Sequence, residues 1–164
     1  MLLRRISEKE IGRFAACLRE EERSAATIEK YRREVMRFSA WLEGREAFGY
    51  FDGETMAGYA AIAPWHTRGE HSYAHILGED PQNTYDFHDV LVRPAYRGRG
   101  IHTMFLSLFA EMARALDGRA IYATVDPGNS ASWHNFEKAG YVCVRVQPAY
   151  DGRMRRYYRL GLWL

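Results

Sequence analysis

A group of arginine and glycine residues, Arg97-Gly98-Arg99-Gly100, has the residue types and the spacing to bind an anion. It lies between an apolar, strand-like segment and a helical pattern. The first amides of a helix lack internal hydrogen-bond acceptors and carry a partial positive charge, which attracts a phosphate or pyrophosphate. Glycine lets the backbone approach such an anion closely, and arginine adds charge-assisted hydrogen bonds. A tight turn with solvated arginines is the alternative explanation of the same residues.

Hydrophobic periodicity predicts the elements that would position this segment. In chain order they are a strand over 2–6, helices near 8–22 and 25–43, strands over 47–51 and 56–62 joined at Asp52-Gly53, a strand over 85–92, a helix from 101 to about 116, a strand over 120–125, a helix over roughly 130–139, and strands over 141–146 and 154–162. The order β-α-α-β-β-β-α-β-α-β-β predicts an α/β domain around one mixed sheet. Residues at helical spacing predict the buried face of the helix from 101: Ile101, Met104, Phe105, Leu108, Met112 and Leu116.

Two other stretches are informative about local structure. Ser7 and Glu10 have the spacing of a capping box, which predicts that the first helix begins there. The segment 64–84 is rich in His, Gly, Pro and acidic residues and shows no clear period. It is long for a connection, and long loops are often functional.

Composition limits the class of protein. The 164 residues are 47% hydrophobic and 27% charged, an ordinary globular balance. No apolar run approaches the roughly 18 residues that cross a bilayer, and the N-terminus lacks a secretory pattern, so we expect no membrane association. Cys17 and Cys143 belong to no CxxC or Cys/His cluster, so we expect reduced thiols, a cytoplasmic location and no metal site. A formal net charge of +2 does not by itself favour a nucleic-acid partner.

Two motifs resemble the GNAT superfamily of N-acetyltransferases. The segment Arg97-Gly-Arg-Gly-Ile-His102 is similar to that family's acetyl-CoA pyrophosphate loop, Gln/Arg-x-x-Gly-x-Gly/Ala, and Val92-x-Pro94 is similar to the hydrophobic-x-Pro before it. Asn129 to Tyr141 resembles the second signature, Asn-x-x-Ala-x-x-x-Tyr-x-x-x-Gly-Phe. One helix and one strand separate the two motifs, as in the family. The resemblance is good over 46–162 and weak over 1–45.

The resemblance implies a fold and a reaction. The fold is one GNAT-like domain over 1–164, with a mixed, mostly antiparallel central sheet flanked by helices. The reaction is the transfer of an acetyl group from acetyl-CoA to a primary amine of a small molecule or peptide, by direct attack in a ternary complex. A strand amide holds the oxyanion, and neither a metal nor a protein nucleophile is needed. The alternative is a CoA-binding GNAT-fold protein without transferase activity. Many relatives are dimers, so a homodimer is also expected.

The same resemblance implies roles for individual residues. Leu91 and Val92 would offer backbone groups to the pantetheine arm, which would extend the sheet like an added strand. Asn129 would contact the co-substrate near the arm or thiol, and Phe136, in the same second motif, would also bind the co-substrate. The pyrophosphate would be wrapped by a continuous segment: Arg97, Gly98, Arg99, Gly100, Ile101, His102 and Thr103.

Two residues depart from the family's pattern. His102 replaces the usual Gly or Ala; its amide could still serve the loop with the imidazole turned outward, or the imidazole could contact phosphate. Phe136 replaces the tyrosine that protonates the departing CoA thiolate, and phenylalanine has no proton to donate. Either the thiolate leaves unassisted, since thiols have pKa values near 8.5, or another donor serves. The candidate donors are His134, Tyr157 and Tyr158.

The strand before the loop offers candidates for the general base. Alternation places Asp86 and His88 on one face with Val90, and Asp89 on the other face with Phe87. Counted back from the loop, Asp86 falls where some family members carry a catalytic glutamate, so Asp86 is the possible base. The alternative is that these are polar strand residues in ordinary hydrogen bonds.

A further resemblance concerns the N-terminal residues. Ser24-Ala-Ala-Thr-Ile-Glu-Lys-Tyr31, with Phe38 and Trp41-Leu42, is similar to the helical core-binding region of tyrosine recombinases. That resemblance implies an N-terminal DNA-binding segment. The stretch holds only two of that region's helices, and acidic residues balance the arginines. We therefore favour helices that complete the acetyltransferase core.

Overall fold

The computed structural model of the chain describes residues 2–21, 46–149 and 152–163. Its helices and strands are β1 (Leu2–Arg5), α1 (Glu8–Glu21), β2 (Glu46–Asp52), β3 (Thr55–Pro64), α2 (Tyr73–Ile76), β4 (Thr84–Val92), α3 (Ile101–Ala115), β5 (Ala120–Val125), α4 (Ser130–Lys138), β6 (Val142–Pro148) and β7 (Met154–Gly161). The predicted helix over 25–43 and the recombinase-like residues lie outside the described residues.

The seven strands follow the order β1-β2-β3-β4-β5-β7-β6. β4 and β5 run parallel, whereas β1 with β2, β5 with β7 and β6 with β7 are antiparallel. The predicted mixed, mostly antiparallel sheet flanked by helices is therefore confirmed. The last two strands do not follow their order in the chain: β7 lies next to β5, and β6 is the last strand at that side of the sheet.

The chain divides into two compact units, Met1–Ala61 with Asp89–Ile101, and Ile62–His88 with His102–Leu164. In the first unit β1 pairs with β2, from Leu2 opposite Phe51 to Arg5 opposite Phe48. The core of this unit joins α1 to the strands, because the Phe14 ring packs edge-on against Tyr59 at 5.4 Å between ring centroids. Its other members are Ala47, Phe51, Met56, Ala61 and Leu91.

In the second unit the buried face of α3 differs from the predicted one. Met104 and Leu116 are 42% and 62% exposed, so their predicted burial is wrong. Leu116 lies beyond the end of α3 at Ala115, where helical spacing no longer applies. The residues that α3 contributes to the core of this unit are Phe105, Leu106, Phe109, Ala110 and Ala113.

The segment 64–84 also differs from its prediction as an irregular connection. It contains two short 3₁₀ turns, Trp65–Thr67 and Gly69–His71, before the single helical turn α2. The Ser72 hydroxyl caps α2 by accepting a hydrogen bond from the His75 amide at 3.3 Å. Turns this short carry no periodic signal, which explains why the pattern did not predict them.

The start of α1 confirms the carboxylate half of the predicted capping box. The Glu10 carboxylate accepts hydrogen bonds from the Ser7 amide at 2.9 Å and from the Ser7 hydroxyl at 3.0 Å. The Arg4 guanidinium also donates to this carboxylate. The Arg4 hydrogen bond and then the Ser7 amide lower the pKa of Glu10 from 4.5 to about 2.

A Glu10→Gln variant will lose part of the acid dependence of stability. Because the folded pKa of Glu10 is depressed, its contribution is complete above about pH 4.5 and disappears as the pH falls to about 2. The ion pair between Arg4 and Glu10 is solvent-exposed. The variant is therefore expected to have an unfolding free energy only about 0.5 kcal/mol lower than the wild type at pH 7. Urea unfolding of both proteins at pH 7 and near pH 2 measures it. A gap in unfolding free energy that is equally large at both pH values would contradict this explanation.

Candidate functional site

The end of β4, in the first unit, has its backbone held closely by β3. A Cβ atom added to Gly58 would lie 2.7 Å from the Leu91 carbonyl oxygen and 3.3 Å from the Val92 Cα. Just beyond, the Arg93 amide donates to the Ala57 carbonyl at 2.9 Å. The glycine thus permits a close approach of the two strands that any other residue would prevent, and it fixes the backbone of Leu91 and Val92.

The arginine-glycine segment has a backbone that requires its glycines. A 3₁₀ turn, Pro94–Tyr96, leads out of β4, and Gly98 and Gly100 have φ values of +74° and +76°. Among the described residues other than the chain neighbours, no heavy atom lies within 4 Å of the position of a Cβ added to either glycine. Glycine is therefore needed at both positions for conformation rather than for space.

The two arginines of the loop, Arg97 and Arg99, are both exposed and reach back to carbonyls of their own segment. Arg97 Nε donates to the Val92 carbonyl at 3.3 Å, and Arg99 Nη2 donates to the Ala95 carbonyl at 3.1 Å. A guanidinium carries five N–H donors and a positive charge, and both suit an anion. The arginines therefore stabilise the loop and keep their charge at the surface.

The start of α3 follows the loop directly at Ile101, which is buried. The amides of the first turn, through Thr103, have no acceptor within the helix. This turn contains no acidic residue that would neutralise the positive end of the helix. Exposed glycines, two arginines and a helix start without a carboxylate fit a pyrophosphate group, and CoA carries one.

In the second unit, β4 and β5 pair over a short distance only. The ladder joins Thr84–Asp86 to Ala120–Tyr122, the first three residues of each strand. The next residues, Phe87 and Ala123, do not belong to this ladder. β5 instead pairs with β7 along its whole length. The pairing of β4 with β5 thus involves Thr84–Asp86, at the start of β4.

His102, in the first turn of α3, points into the second unit rather than outward. Its ring lies 5.2 Å from the Phe136 ring and 6.0 Å from the Phe87 ring, between centroids. Its Nδ1 lies 3.2 Å from Asn135 Nδ2. Burial lowers the pKa of His102 to about 4, so the imidazole is neutral at pH 7. The outward orientation expected from the sequence is therefore wrong, because the apolar environment around Phe136 accommodates the ring.

Asp86 is fully buried and bonded through both carboxylate oxygens. It accepts the Tyr73 amide at 3.1 and 3.2 Å and Arg68 Nε at 3.1 Å. Arg68 in turn donates to the His71 carbonyl at 2.8 Å. This arrangement ties β4 to the 3₁₀ turns and α2. His88 faces the Tyr73 ring at 5.4 Å, so the predicted shared face of Asp86 and His88 is confirmed.

A sequence model of the acetyltransferase (GNAT) family matches residues 15–141. The chain belongs to the GNAT acetyltransferase family. The match includes residues 24–42, which carry the resemblance to tyrosine recombinases, and that resemblance remains an untested hypothesis.

The sequence of this GNAT chain is similar to those of two curated relatives. It is 32% identical over 113 residues to the N-alpha-acetyltransferase RimI of Mycobacterium tuberculosis, covering 69% of this chain and 58% of the relative. It is 25% identical over 126 residues to the L-amino acid N-acyltransferase MnaT of Escherichia coli, covering 74% of this chain and 67% of the relative. The match thus spans less than two thirds of the RimI length.

Two solved structures have the same fold. The yncA protein of Salmonella typhimurium, determined with its cofactor acetyl-CoA, matches with a TM-score of 0.68 at 19% identity, over 99% of this chain and 94% of that one. The ribosomal-protein-S18-alanine N-acetyltransferase of Escherichia coli matches with a TM-score of 0.69 at 13% identity, over the same shares of the two chains.

The second GNAT motif forms α4 and the residues around it. Asn129 is the N-cap, and its Oδ1 accepts the Ser132 amide at 3.1 Å. Its predicted contact with the co-substrate would therefore use Nδ2 or the second lone pair of Oδ1. Phe136 is buried, with its ring 5.0 Å from Tyr141 and 5.8 Å from Tyr158. Both residues of the motif thus have a structural role: Asn129 caps α4, and the Phe136 ring packs in the core.

The proposed proton donors of this GNAT chain have different surroundings. The exposed His134 stacks on Trp133 at 3.9 Å, and its Nδ1 donates to the Ser130 carbonyl at 2.8 Å. Neutral His134 then has only an acceptor at Nε2. Tyr158 is fully buried and donates to Glu137 Oε1 at 2.9 Å, and burial raises its pKa. Tyr157 is buried against Tyr73. The acid role of His134 stays a prediction.

Within residues 2–21, 46–149 and 152–163, no group of three or more His, Cys, Asp and Glu side chains could hold a metal ion. In the same part of the chain, no helix combines the length and apolar character needed to cross a membrane.

Proposed function

We propose that this chain transfers an acetyl group from acetyl-CoA to a primary amine by direct attack in a ternary complex. The observation that carries the proposal is the loop from β4 to α3. Gly98 and Gly100 have positive φ values there, and α3 starts without an acidic residue. Acetyl-CoA, when bound, supplies a thioester that is activated for attack by a neutral amine. Family membership supports this donor, and the yncA structure contains it.

Different residues of the chain would bind different parts of acetyl-CoA. The amides of Gly98 to Thr103 would hold the pyrophosphate, and the Arg97 and Arg99 side chains would offset its charge. The backbone of Leu91 and Val92, which Gly58 holds in place, would receive the arm in the manner of an added strand. None of these contacts requires a charged group to be buried, since the loop is exposed.

The acceptor class follows from what the relatives are named for. One is an N-alpha-acetyltransferase and another is an L-amino acid N-acyltransferase. Both names describe an amine on a carbon that carries a carbonyl group. We propose that the acceptor of this chain is such an amine, on a free amino acid or at a peptide N-terminus. We also propose a cytoplasmic location, because Cys17 and Cys143 are free thiols.

Transfer also needs a base for the proton of the amine, and without a tyrosine at position 136 the CoA thiolate either leaves unassisted or takes its proton from another donor. The fully buried Asp86 already accepts hydrogen bonds from Tyr73 and Arg68, so its service as base would require one of these contacts to open. This observation favours the second candidate function, a protein that binds CoA without transferring its acyl group.

A thiol-release assay separates the two functions. Purified protein with acetyl-CoA is expected to release CoA thiol faster with at least one member of a panel of L-amino acids, short peptides and polyamines than without an amine. Isothermal titration with acetyl-CoA runs in parallel. Binding without release for every amine would favour the binding protein, and absence of binding would overturn both proposals.

A further inference from the structure

The strand β6, in the second unit, stands at one end of the sheet order, so only β7 pairs with it in the described part of the chain. Its side chains are largely accessible: Val142, Val144 and Val146 are 64%, 42% and 51% exposed. An edge strand presents unpaired N–H and C=O groups, to which an extended segment can add as a further strand. Exposed valines also favour the strand conformation. β6 therefore offers an edge on which a segment can dock.

The strand at the other end of the order, β1 in the first unit, is less suited to this role. It has four residues, whereas β6 has seven. The guanidinium of Arg4 on β1 already bonds to Glu10 and lies 4.1 Å from the centre of the Phe51 ring. Short strands that carry charged residues are typical of edges that are protected from pairing. β6 is thus the more open of the two edges.

The charge around β6 is positive. From 142 to 161 the sequence has one acidic residue, Asp151, and five arginines: Arg145, Arg153, Arg155, Arg156 and Arg159. Carboxylates of other elements form ion pairs with three of them, at nitrogen–oxygen distances of 3.5–4.0 Å: Asp126 with Arg155, Glu137 with Arg156, and Glu79 with Arg159. Arg145 lies on β6 itself and is exposed, and no carboxylate among the described residues pairs with it. A docked segment with carboxylates would supply that partner.

The register of β6 on β7 separates the charged side chain of the edge from the apolar ones. Arg145 lies opposite Tyr157, and Val146 lies opposite Arg156. Successive residues of a strand point to opposite faces, so the side chains of Arg145 and Val146 lie on different faces of the sheet. Met154, which is 47% exposed, shares the face of Val146. A segment that alternates acidic and apolar residues would match both faces.

A second copy of the chain matches this edge less well. In a symmetric dimer the same surface occurs on both subunits, so the arginines of the two edges would approach each other. Like charges across a strand pair are unfavourable. The structural alternative is an edge that binds nothing. The β-bulge between Cys143 and Arg145 supports that alternative, because bulges and charges both protect edges from pairing.

We propose that β6 binds an extended segment of a partner protein by strand addition, and that this segment alternates acidic and apolar residues. Its carboxylates would pair with Arg145, and its apolar side chains would pack on Val146 and Met154. The affinity comes from the strand hydrogen bonds, and the preference for an acidic partner comes from the arginine. The site lies within the second unit and does not depend on the acetyl-CoA site.

The first test uses the full chain and a synthetic peptide of seven residues that alternates glutamate and valine. The peptide is acetylated and amidated at its ends, so it has no amine that could act as an acceptor. In ¹H–¹⁵N correlation spectra, the peptide is expected to shift the amides of β6 and to leave those of β1 unchanged. Versions with lysine in place of glutamate, or with every amide N-methylated, should not bind. Unchanged β6 amides at about 1 mM peptide would overturn the proposal.

The second test measures fluorescence anisotropy of the labelled peptide with matched variants. Arg145→Glu should bind the glutamate peptide about tenfold more weakly than the wild type, and it should gain affinity for the lysine peptide. Arg13→Glu makes the same change at an exposed position of α1 and should bind like the wild type. Equal affinity of Arg145→Glu and the wild type would contradict the assigned role of Arg145. Should Arg145→Glu not fold, the spectra of the wild type with the three peptides still decide.

Sedimentation velocity and amide hydrogen exchange of the protein alone test the other occupant of the edge. A dimer that protects the β6 amides and excludes the glutamate peptide would mean that a second copy covers β6, and the proposal would fail. Binding of the peptide at β6, by a monomer or by a dimer formed elsewhere on the surface, supports it.

Discussion

Gly100→Glu is expected to bind acetyl-CoA about 100-fold more weakly than the wild type, which corresponds to about 2.7 kcal/mol. Gly100 has a φ of +76°, and a Cβ added there meets no heavy atom within 4 Å in residues 2–21, 46–149 and 152–163 apart from its chain neighbours. The substitution therefore strains the backbone but creates no clash. The new carboxylate repels the pyrophosphate where the wild type offers amides and arginines. Isothermal titration at fixed ionic strength measures the loss.

The chain offers a matched control for this variant. Gly78, after α2, has a φ of +75° and equally open space around its added Cβ. Gly78→Glu therefore introduces the same charge and the same backbone strain, about 1–2 kcal/mol of folding stability, away from the loop. It should bind like the wild type. Gly100→Ala shows how much of the loss comes from strain alone. Equal binding by Gly100→Glu and Gly78→Glu would mean that the loop is only a turn.

Asp86→Ala is expected to lower the free energy of unfolding by about 3–5 kcal/mol, because it leaves a nearly buried arginine without its partner. The side chains of Asp86 and Arg68 are 0% and 12% exposed. The same substitution also removes the acceptor of the Tyr73 amide at the start of α2. Urea unfolding measures the loss.

Asp80→Ala is the control for burial. Asp80 forms an ion pair with Arg119 at the same 3.1 Å, but these side chains are 58% and 50% exposed. Its loss should cost about 1 kcal/mol or less. In addition, Arg68→Met in the Asp86→Ala background should recover stability, because the unpaired guanidinium is gone. Similar losses of unfolding free energy for Asp80→Ala and Asp86→Ala would contradict the explanation that burial of the ion pair causes the larger effect.

Asp86→Asn addresses the role of Asp86 as the possible base. Asparagine keeps an acceptor oxygen for the Tyr73 amide but cannot remove a proton from an amine. If the variant folds and releases thiol at the wild-type rate with saturating substrates, the base role is excluded. A folded variant without release would support it.

The loop was predictable from the sequence because its geometry is local. Arginines and glycines between a strand-like and a helical pattern predicted a loop at this place, and Gly98 and Gly100 adopt the positive φ values that glycine allows. The order of the elements was predictable for the same reason, since apolar periodicity is a property of neighbouring residues. The exchange of β6 and β7 in the sheet order was not predicted, because strand neighbours are set by long-range pairing.

The surroundings of the polar residues were not predictable. Alternation gave the face of Asp86 correctly, but its partner Arg68 lies 18 residues earlier, in a segment without periodicity. The inward position of His102 depends on Asn135, 33 residues later. Neither contact can be inferred from the spacing of neighbouring residues in the sequence. The available signal of this contact was that a histidine and a phenylalanine, His102 and Phe136, both depart from one family pattern.

The arginine-glycine loop supplies much of its own scaffolding. Arg97 and Arg99 bond to carbonyls of the same segment, and space stays open beside Gly98 and Gly100. These acceptors are backbone atoms, so mutations that accumulate elsewhere in the fold do not remove them. In evolutionary terms, a self-supporting loop of this kind lets a lineage change what it modifies while keeping the donor that it uses.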